Sequence, residues 1–269
     1  MNVIGRRKLP PEYVEFLNRW GAPMGHRSVK RLAVFSVARS LRMRTLQARA
    51  VGPFGFQPDN NATRIFEYPW AFHAVPVGPG DMVVDLGGSL AGLQFVLSKQ
   101  GARVVNVDPS ESASMGWGVD ERTFATLNRA FGTSVELRKE FLEDAKIEAD
   151  SIDRIYCIST IEHIPIEELP SLARELRRIL KPGGFAVFTI DLFFDLAPFT
   201  NRECNVSGRN IDVCWLVGQS GLELFEGETS ELFGYPDFDP PDILSRGMEF
   251  AQGDYAFNVA QAFVLRKPH

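Results

Sequence analysis

Apolar and polar positions follow two rhythms along this chain. Short apolar runs, such as Met82-Val83-Val84, Val104-Val105 and Ile155 to Ile158, have the make-up of strands buried on both faces of a sheet. Between them apolar residues recur at helical spacing, as at Leu93, Val96 and Leu97. The pattern predicts strand 81–86, helix 90–99, strand 102–107, helix 120–131, strands 134–138 and 152–158, helix 170–180 and strand 185–190. A helix over 210–221, with Val213, Leu216 and Val217 inward, and strands 222–225 and 257–266 follow. Alternation at this period predicts an α/β fold, doubly wound around a mostly parallel seven-stranded sheet.

The N-terminal part has another pattern. Pro10 to Trp20 reads as a short helix begun by prolines, and Ser28 to about Arg49 as a longer one with Ser28 as N-cap. Val34, Val37, Ala38 and Leu41 would form its apolar stripe. Residues 51–73 read as a turn-rich, aromatic connection. These features divide the chain into a basic helical extension, 1–74, and a main domain, 75–269, with covering segments at 192–209 and 227–255.

Charge sharpens that division. The net charge of −5 conceals eleven Lys or Arg against two acids in residues 1–50, about +9, and about −14 in the remainder. The preferred reading is a basic helix packed on the acidic main domain. An anionic acceptor or partner is the second reading. Nucleic acid is the least favoured, because the main domain is acidic and has no basic stripe. No apolar run reaches the length of a membrane span. Three cysteines, Cys157, Cys204 and Cys214, have neither metal-ligand spacing nor an even count, which fits a reducing, cytoplasmic setting. No His, Cys or carboxylate cluster has metal spacing, so no metal dependence is expected.

The chemistry concentrates at Asp81 to Gly92. Asp85 stands where the first strand ends, and Gly87 and Gly88 allow a sharp turn with close backbone approach to a ligand. The spacing Gly87-Gly88-Ser89-Leu90-Ala91-Gly92 is that of a dinucleotide turn with Ser in place of the second Gly. A carboxylate at Asp85, however, would repel a pyrophosphate and attract an ammonium group. S-adenosylmethionine carries such an ammonium and no phosphate. A second strand ends in Asp108, 23 residues on, where a carboxylate can accept both ribose hydroxyls.

With Ile161-Glu162-His163-Ile164 and Leu180-Lys181-Pro182-Gly183-Gly184 downstream, the chain resembles the class I S-adenosylmethionine-dependent methyltransferases over residues 75–190. The resemblance implies a Rossmann-like domain ending in an antiparallel hairpin, here 222–225 with 257–266. It also implies S-adenosylmethionine as cofactor and S-adenosylhomocysteine as product. The cofactor residues it implies are Asp85, Gly87, Gly88, Ser89, Gly92, Asp108, Pro109 and Ser159. Phe141 and Leu142 would contact the adenine, with Glu140 or Glu143 as polar partners and the 110–118 loop, with Met115 and Trp117, as cover. Arg64 would pair with the methionine carboxylate. Ser89 and Ala91 depart from the family's glycine pattern.

The expected reaction is methyl transfer to O or N of a small polar metabolite, a sugar or a secondary-metabolite intermediate. His163 is the candidate catalytic base, ahead of His73 and Asp191. Tyr68, Trp70, His73 and Asp191 are the candidate acceptor contacts, Tyr68 and Trp70 flanking the sulfonium. The alternatives are a non-catalytic binding module of the same fold and, less favoured, an NAD-dependent oxidoreductase.

Overall fold

The computed structural model describes residues 4–57, 62–110, 117–250 and 258–269. Seven strands, β1 (Met82–Leu86), β2 (Arg103–Val107), β3 (Glu136–Arg138), β4 (Ile152–Ile158), β5 (Leu180–Phe193), β6 (Glu223–Glu226) and β7 (Asn258–Arg266), form one sheet. Its order is β3-β2-β1-β4-β5-β7-β6. The first five strands are parallel, whereas β7 runs antiparallel to both β5 and β6. The order reverses between β1 and β4, so their carboxyl ends flank the crevice where ligands bind in open α/β sheets.

Two-residue periodicity along the strands feeds two cores. Val83 points into one apolar cluster and Val84 into the other. The first cluster is built with α1 (Pro11–Trp20), α3 (Arg44–Val51), α4 (Arg64–Ala74), α5 (Leu93–Lys99) and α6 (Glu121–Phe131), through Phe16, Phe54, Trp70 and Phe95. The second is built with α7 (Leu169–Ile179) and α8 (Val213–Ser220), through Leu172, Leu176 and Leu216. A third joins Ile4, Leu192 and Val259 to α9 (Pro240–Ser245) and α10 (Gly247–Phe250), through Ile243 and Phe250.

Four elements differ from the sequence pattern. The long helix expected from Ser28 to Arg49 is two helices, α2 (Val29–Ser40) and α3. Leu41 caps α2, Arg42 adopts a left-handed φ of 56°, and the chain folds back. Of the expected stripe only Ala38 is buried; Val34, Val37 and Leu41 face solvent. The aromatic connection ends in helix α4, which holds Pro69 inside it. β5 starts earlier and ends later than expected, because the excursion at Lys181 to Gly184 lies between Leu180, paired with Ile152, and Phe185, paired with Arg154. Met115, Phe257 and residues 251–255 of the second covering segment lie outside the described residues.

Candidate active site

The carboxyl ends of the parallel strands open into a cavity of about 1140 Å³, with a smaller one of about 50 Å³ beside it. Arg64, Gln57, Leu86, Gly87 and Ser159 line both.

The glycine turn between β1 and α5 is held from behind. The Gln94 side-chain amide donates to the carbonyls of Ser89 at 3.1 Å and Ala91 at 2.9 Å. The Asn106 amide donates to Ser89 O at 2.9 Å and to Gln94 Oε1 at 2.8 Å. Both amides are fully buried, so the turn's carbonyls are satisfied inside the core. Ser89 takes a left-handed φ of 42°, a conformation that favours Gly. Its N–H donates to Asp108 Oδ2 at 2.6 Å, and the Ser110 N–H donates to Oδ1 at 2.7 Å. Each Asp108 oxygen keeps a second lone pair, and the residue lines the large cavity with Pro109.

The remaining glycines serve different purposes. A Cβ on Gly87 would lie 2.3 Å from Thr160 Cγ2, and one on Gly88 2.4 Å from Asp85 Oδ2. Gly92 lines neither cavity; a Cβ there would meet the Phe54 ring at 2.5 Å, so this glycine lets helix and aromatic segment close up.

Asp85 borders the small cavity, and its Oδ2 is buried with no hydrogen-bond partner among the described residues. Burial, then the Asp108 carboxylate, pushes its carboxyl up to about 8. Across the same space α4 presents Arg64, whose guanidinium pairs with Glu67 and donates to Ser159 Oγ. Glu67, fully buried, also accepts from Thr63 Oγ1 at 2.8 Å, Ser159 Oγ at 2.7 Å and Thr189 Oγ1 at 2.6 Å. Burial opposes its charge, but Arg64 and the hydroxyls win and hold it below the ordinary value. Tyr68 borders the small cavity one turn on from Arg64, and burial raises its phenol.

Helical spacing separates the other aromatic candidates from this face. Trp70 is buried in the first core and lines neither cavity. His73 stacks on Tyr13 with ring centroids 5.7 Å apart and meets Phe16 and Phe72 edge-on, likewise outside both cavities. The expectation treated Tyr68, Trp70 and His73 as one wall because it read an irregular segment; a helix sends them to different sides.

The rest of the large cavity is lined by Phe141 and Leu142 with Glu140 and Glu143 near Asp108, and by His163, Asp191, Asn205, Ser207 and Asn258 farther along. Asp191 stands near the end of β5; its Oδ1 is buried and without a partner among the described residues, and its carboxylate hydrogen-bonds Asn258. Burial, then Glu67, raises its pKa, partly offset by Arg64. Behind it Glu162, raised by burial and then by Asp191, accepts the Asp191 N–H at 3.1 Å. Burial and then Arg64 lower the pKa of His163, which keeps its imidazole neutral near neutrality.

Gln57, Glu67, Glu162, Thr160 and Asn258 were not singled out as site residues from sequence. For Glu67 a signal existed, a Thr63 and a Glu67 four apart at the start of an apolar helical pattern; Asn258 has none, since only strand pairing brings it beside Asp191. No group of three or more His, Cys, Asp or Glu among the described residues could hold a metal ion. No helix among them is long and apolar enough to cross a membrane. Segment 227–250 lines neither cavity, whereas Asn205 to Ser207 of the first covering segment form part of the large one.

Residues 84–188 match the family model of a methyltransferase domain. A ubiquinone biosynthesis O-methyltransferase of Hahella chejuensis (strain KCTC 2396) is 31% identical over 120 residues, 43% of this chain and 43% of that protein. The chain thus matches less than half of this relative's length. Among solved structures, the [4+2]-cyclase SpnF superposes with a TM-score of 0.55 at 16% identity, covering 87% of this chain and 96% of that one. The Burkholderia thailandensis 1,6-didemethyltoxoflavin-N1-methyltransferase, solved with 1,6-didemethyltoxoflavin and S-adenosylhomocysteine, gives 0.54 at 14% identity, covering 99% and 95%. An S-adenosylmethionine-dependent methyltransferase from Mesorhizobium loti gives 0.53 at 18%, covering 78% and 99%. At these identities the structural likenesses establish the fold.

Proposed function

Since residues 84–188 match the family model of a methyltransferase domain, we propose that the protein is a class I S-adenosylmethionine-dependent methyltransferase that transfers a methyl group from S-adenosylmethionine to O or N of a small metabolite. The observation that carries this reading is the orphaned Asp85 Oδ2 at the glycine turn. A buried carboxyl without a partner wants a cation, and the cofactor's ammonium is one. A pyrophosphate would meet repulsion there, which disfavours the dinucleotide alternative.

The residues fit the cofactor's parts. Asp85 would hold the ammonium and Arg64 the carboxylate of the methionine moiety, with Tyr68 beside them. Asp108 would accept the ribose hydroxyls, and Phe141 and Leu142, with Glu140 or Glu143, would border the adenine. Bound S-adenosylmethionine supplies a methyl group made electrophilic by its sulfonium. The chain's own contribution is alignment of the acceptor and exclusion of water. His163, neutral near pH 7, would accept the proton of a hydroxyl or ammonium acceptor. Asp191 would fix that group through its unpartnered oxygen, with Asn258 fixing Asp191. A sugar or a secondary-metabolite intermediate fits a cavity with polar groups at this end and apolar Ile164, Pro165, Leu172 and Phe193 around it.

Isothermal titration with S-adenosylmethionine, S-adenosylhomocysteine and NAD tests the reading. Micromolar binding of the first two, lost in Asp85→Ala and Asp108→Ala, is expected. Binding of NAD alone, or of none of the three by the folded protein, would overturn it.

A further inference from the structure

Helix α2 turns most of its aliphatic side chains outward, away from its own domain. At 100° per residue Ala33, Val37, Leu41 and Val34 fall on one side, with Val29 at its edge. That side faces solvent: Val29 is 86% exposed, Val37 59% and Leu41 64%. The side turned inward holds Ala38, buried, and Phe35, half-buried. Past the break, Met43 and Leu46 are exposed as well. Aliphatic side chains left contiguous in water mark an interaction surface.

The charge around the strip says what it would meet. From Phe16 to Gln57 the chain contains no Asp or Glu, Lys30 falls within the strip at the same spacing, and Arg27, Arg39 and Arg42 are exposed elsewhere on the segment. A symmetric contact with the same face of a second copy would bring these like charges together with no acid between them. Protein interfaces draw their anchoring energy from Trp, Tyr and Arg, and Leu and Val are under-represented among such anchors. The exposed apolar members of this face are Val, Leu and Met. Aliphatic side chains inserted among acyl chains, flanked by cations at headgroup level, are the composition of a helix lying in a membrane interface.

We propose that the outer face of α2 docks on an anionic lipid surface, with Val29, Val37 and Leu41 entering the headgroup boundary and Lys30, on the same side, meeting lipid phosphates. The association is peripheral and reversible, combining a modest apolar area with charge attraction that salt screens. It is independent of the methyl-transfer reading, because none of these residues lines either cavity.

Flotation of the full chain with vesicles of phosphatidylcholine, with and without phosphatidylglycerol, tests the proposal. Wild type is expected to float with the phosphatidylglycerol vesicles only, and to be released by high salt. Val37→Asp/Leu41→Asp and Lys30→Glu should each reduce partitioning roughly tenfold or more. All three positions are on the surface, and unchanged S-adenosylhomocysteine titration and thermal melting would report that each variant is folded with an intact cofactor site. Failure of wild type to float, or flotation unaffected by the substitutions, would overturn the proposal. So would a wild-type dimer by light scattering that Val37→Asp/Leu41→Asp converts to monomer, since the face would then belong to a second copy.

Discussion

The Asp191 backbone N–H donates to Glu162 Oε1 at 3.1 Å, which ties the buried Glu162 carboxyl to the residue that carries a second buried carboxyl into the lining of the large cavity. Glu162 comes from the single helical turn after β4 and Asp191 from the end of β5, so adjacent parallel strands deliver them together. Neither can ionise freely, as burial raises both and Asp191 raises Glu162 further. Replacing Asp191 by Asn should lower the Glu162 titration midpoint toward the ordinary carboxylate range. Carboxyl-carbon NMR titration of wild type and Asp191→Asn checks this. An unchanged midpoint would mean that burial alone sets it.

Asp85 links stability to pH in the protein without ligand. Its folded-state value of about 8 lies above its ordinary 3.8, so the folded state retains a proton that the unfolded chain releases between those limits. Stability from this group is therefore complete below the ordinary value and is lost as pH rises to about 8. The slope is about 1.4 kcal/mol per pH unit for one retained proton. Urea denaturation at about pH 5 and about pH 8 should show wild type weakening with pH, with the decline reduced in Asp85→Asn. Equal slopes in the two proteins would assign the decline to other groups.

The buried amides behind the glycine turn should matter to both folding and binding. Asn106→Leu removes the donor to Ser89 O and Gln94 Oε1; Ser89 O keeps the Gln94 amide, while Gln94 Oε1 is left to find a new partner. One unsatisfied buried acceptor costs about 1–3 kcal/mol. Denaturant unfolding is expected to register a loss in this range. Titration with S-adenosylhomocysteine should show weaker binding wherever the variant is folded, because the turn's geometry rests on those bonds. Wild-type affinity in Asn106→Leu would show that the turn holds its shape without them.

The contrast between this turn and α4 explains how much of the site could be read from sequence. Strand, turn and helix from Met82 to Lys99 are local: β-branched runs, Gly87-Gly88 and helical spacing each act within a few residues, and strand and turn appear as expected. The order β3-β2-β1-β4-β5 follows from alternating strands and helices with right-handed crossovers. Helix α4 was hidden by Pro69, a residue that usually ends helices. With the helix unrecognised, Tyr68, Trp70 and His73 read as contacts of one acceptor, and Glu67 was not singled out. The outward stripe of α2 was illegible for another reason. Spacing shows that a helix has an apolar side, but only the break at Arg42 decides which way that side turns.

Glu67 should be more important to stability than its distance from any reacting atom suggests. It is the buried partner of Arg64 and the acceptor for three hydroxyls. Glu67→Ala leaves a buried guanidinium without its carboxylate, a change that typically costs about 3–5 kcal/mol. Thermal melting should show a large loss, and Glu67→Gln, which keeps the shape and two hydrogen-bonding atoms, a smaller one. Equal melting of Glu67→Ala and wild type would show that Arg64 finds another partner.

Gly87 offers a test in which the cavity wall itself is the variable. It has a φ of 68°, and a Cβ would sit 2.3 Å from Thr160 Cγ2 and 2.6 Å from Thr160 Oγ1. The left-handed backbone alone disfavours Ala by about 1–2 kcal/mol. The clash adds to this unless Thr160 changes rotamer, and its hydroxyl is already engaged with Leu86 O at 3.3 Å. Gly87→Ala should therefore unfold at lower denaturant than wild type and bind S-adenosylhomocysteine at least tenfold more weakly, roughly the factor that 1.4 kcal/mol represents. Gly87→Ala/Thr160→Ser separates the two causes, since Ser lacks the clashing methyl and keeps the hydroxyl. Recovery of part of the stability in the double variant would assign that part to the methyl clash. No recovery would assign the whole loss to the backbone and the remaining hydroxyl contact.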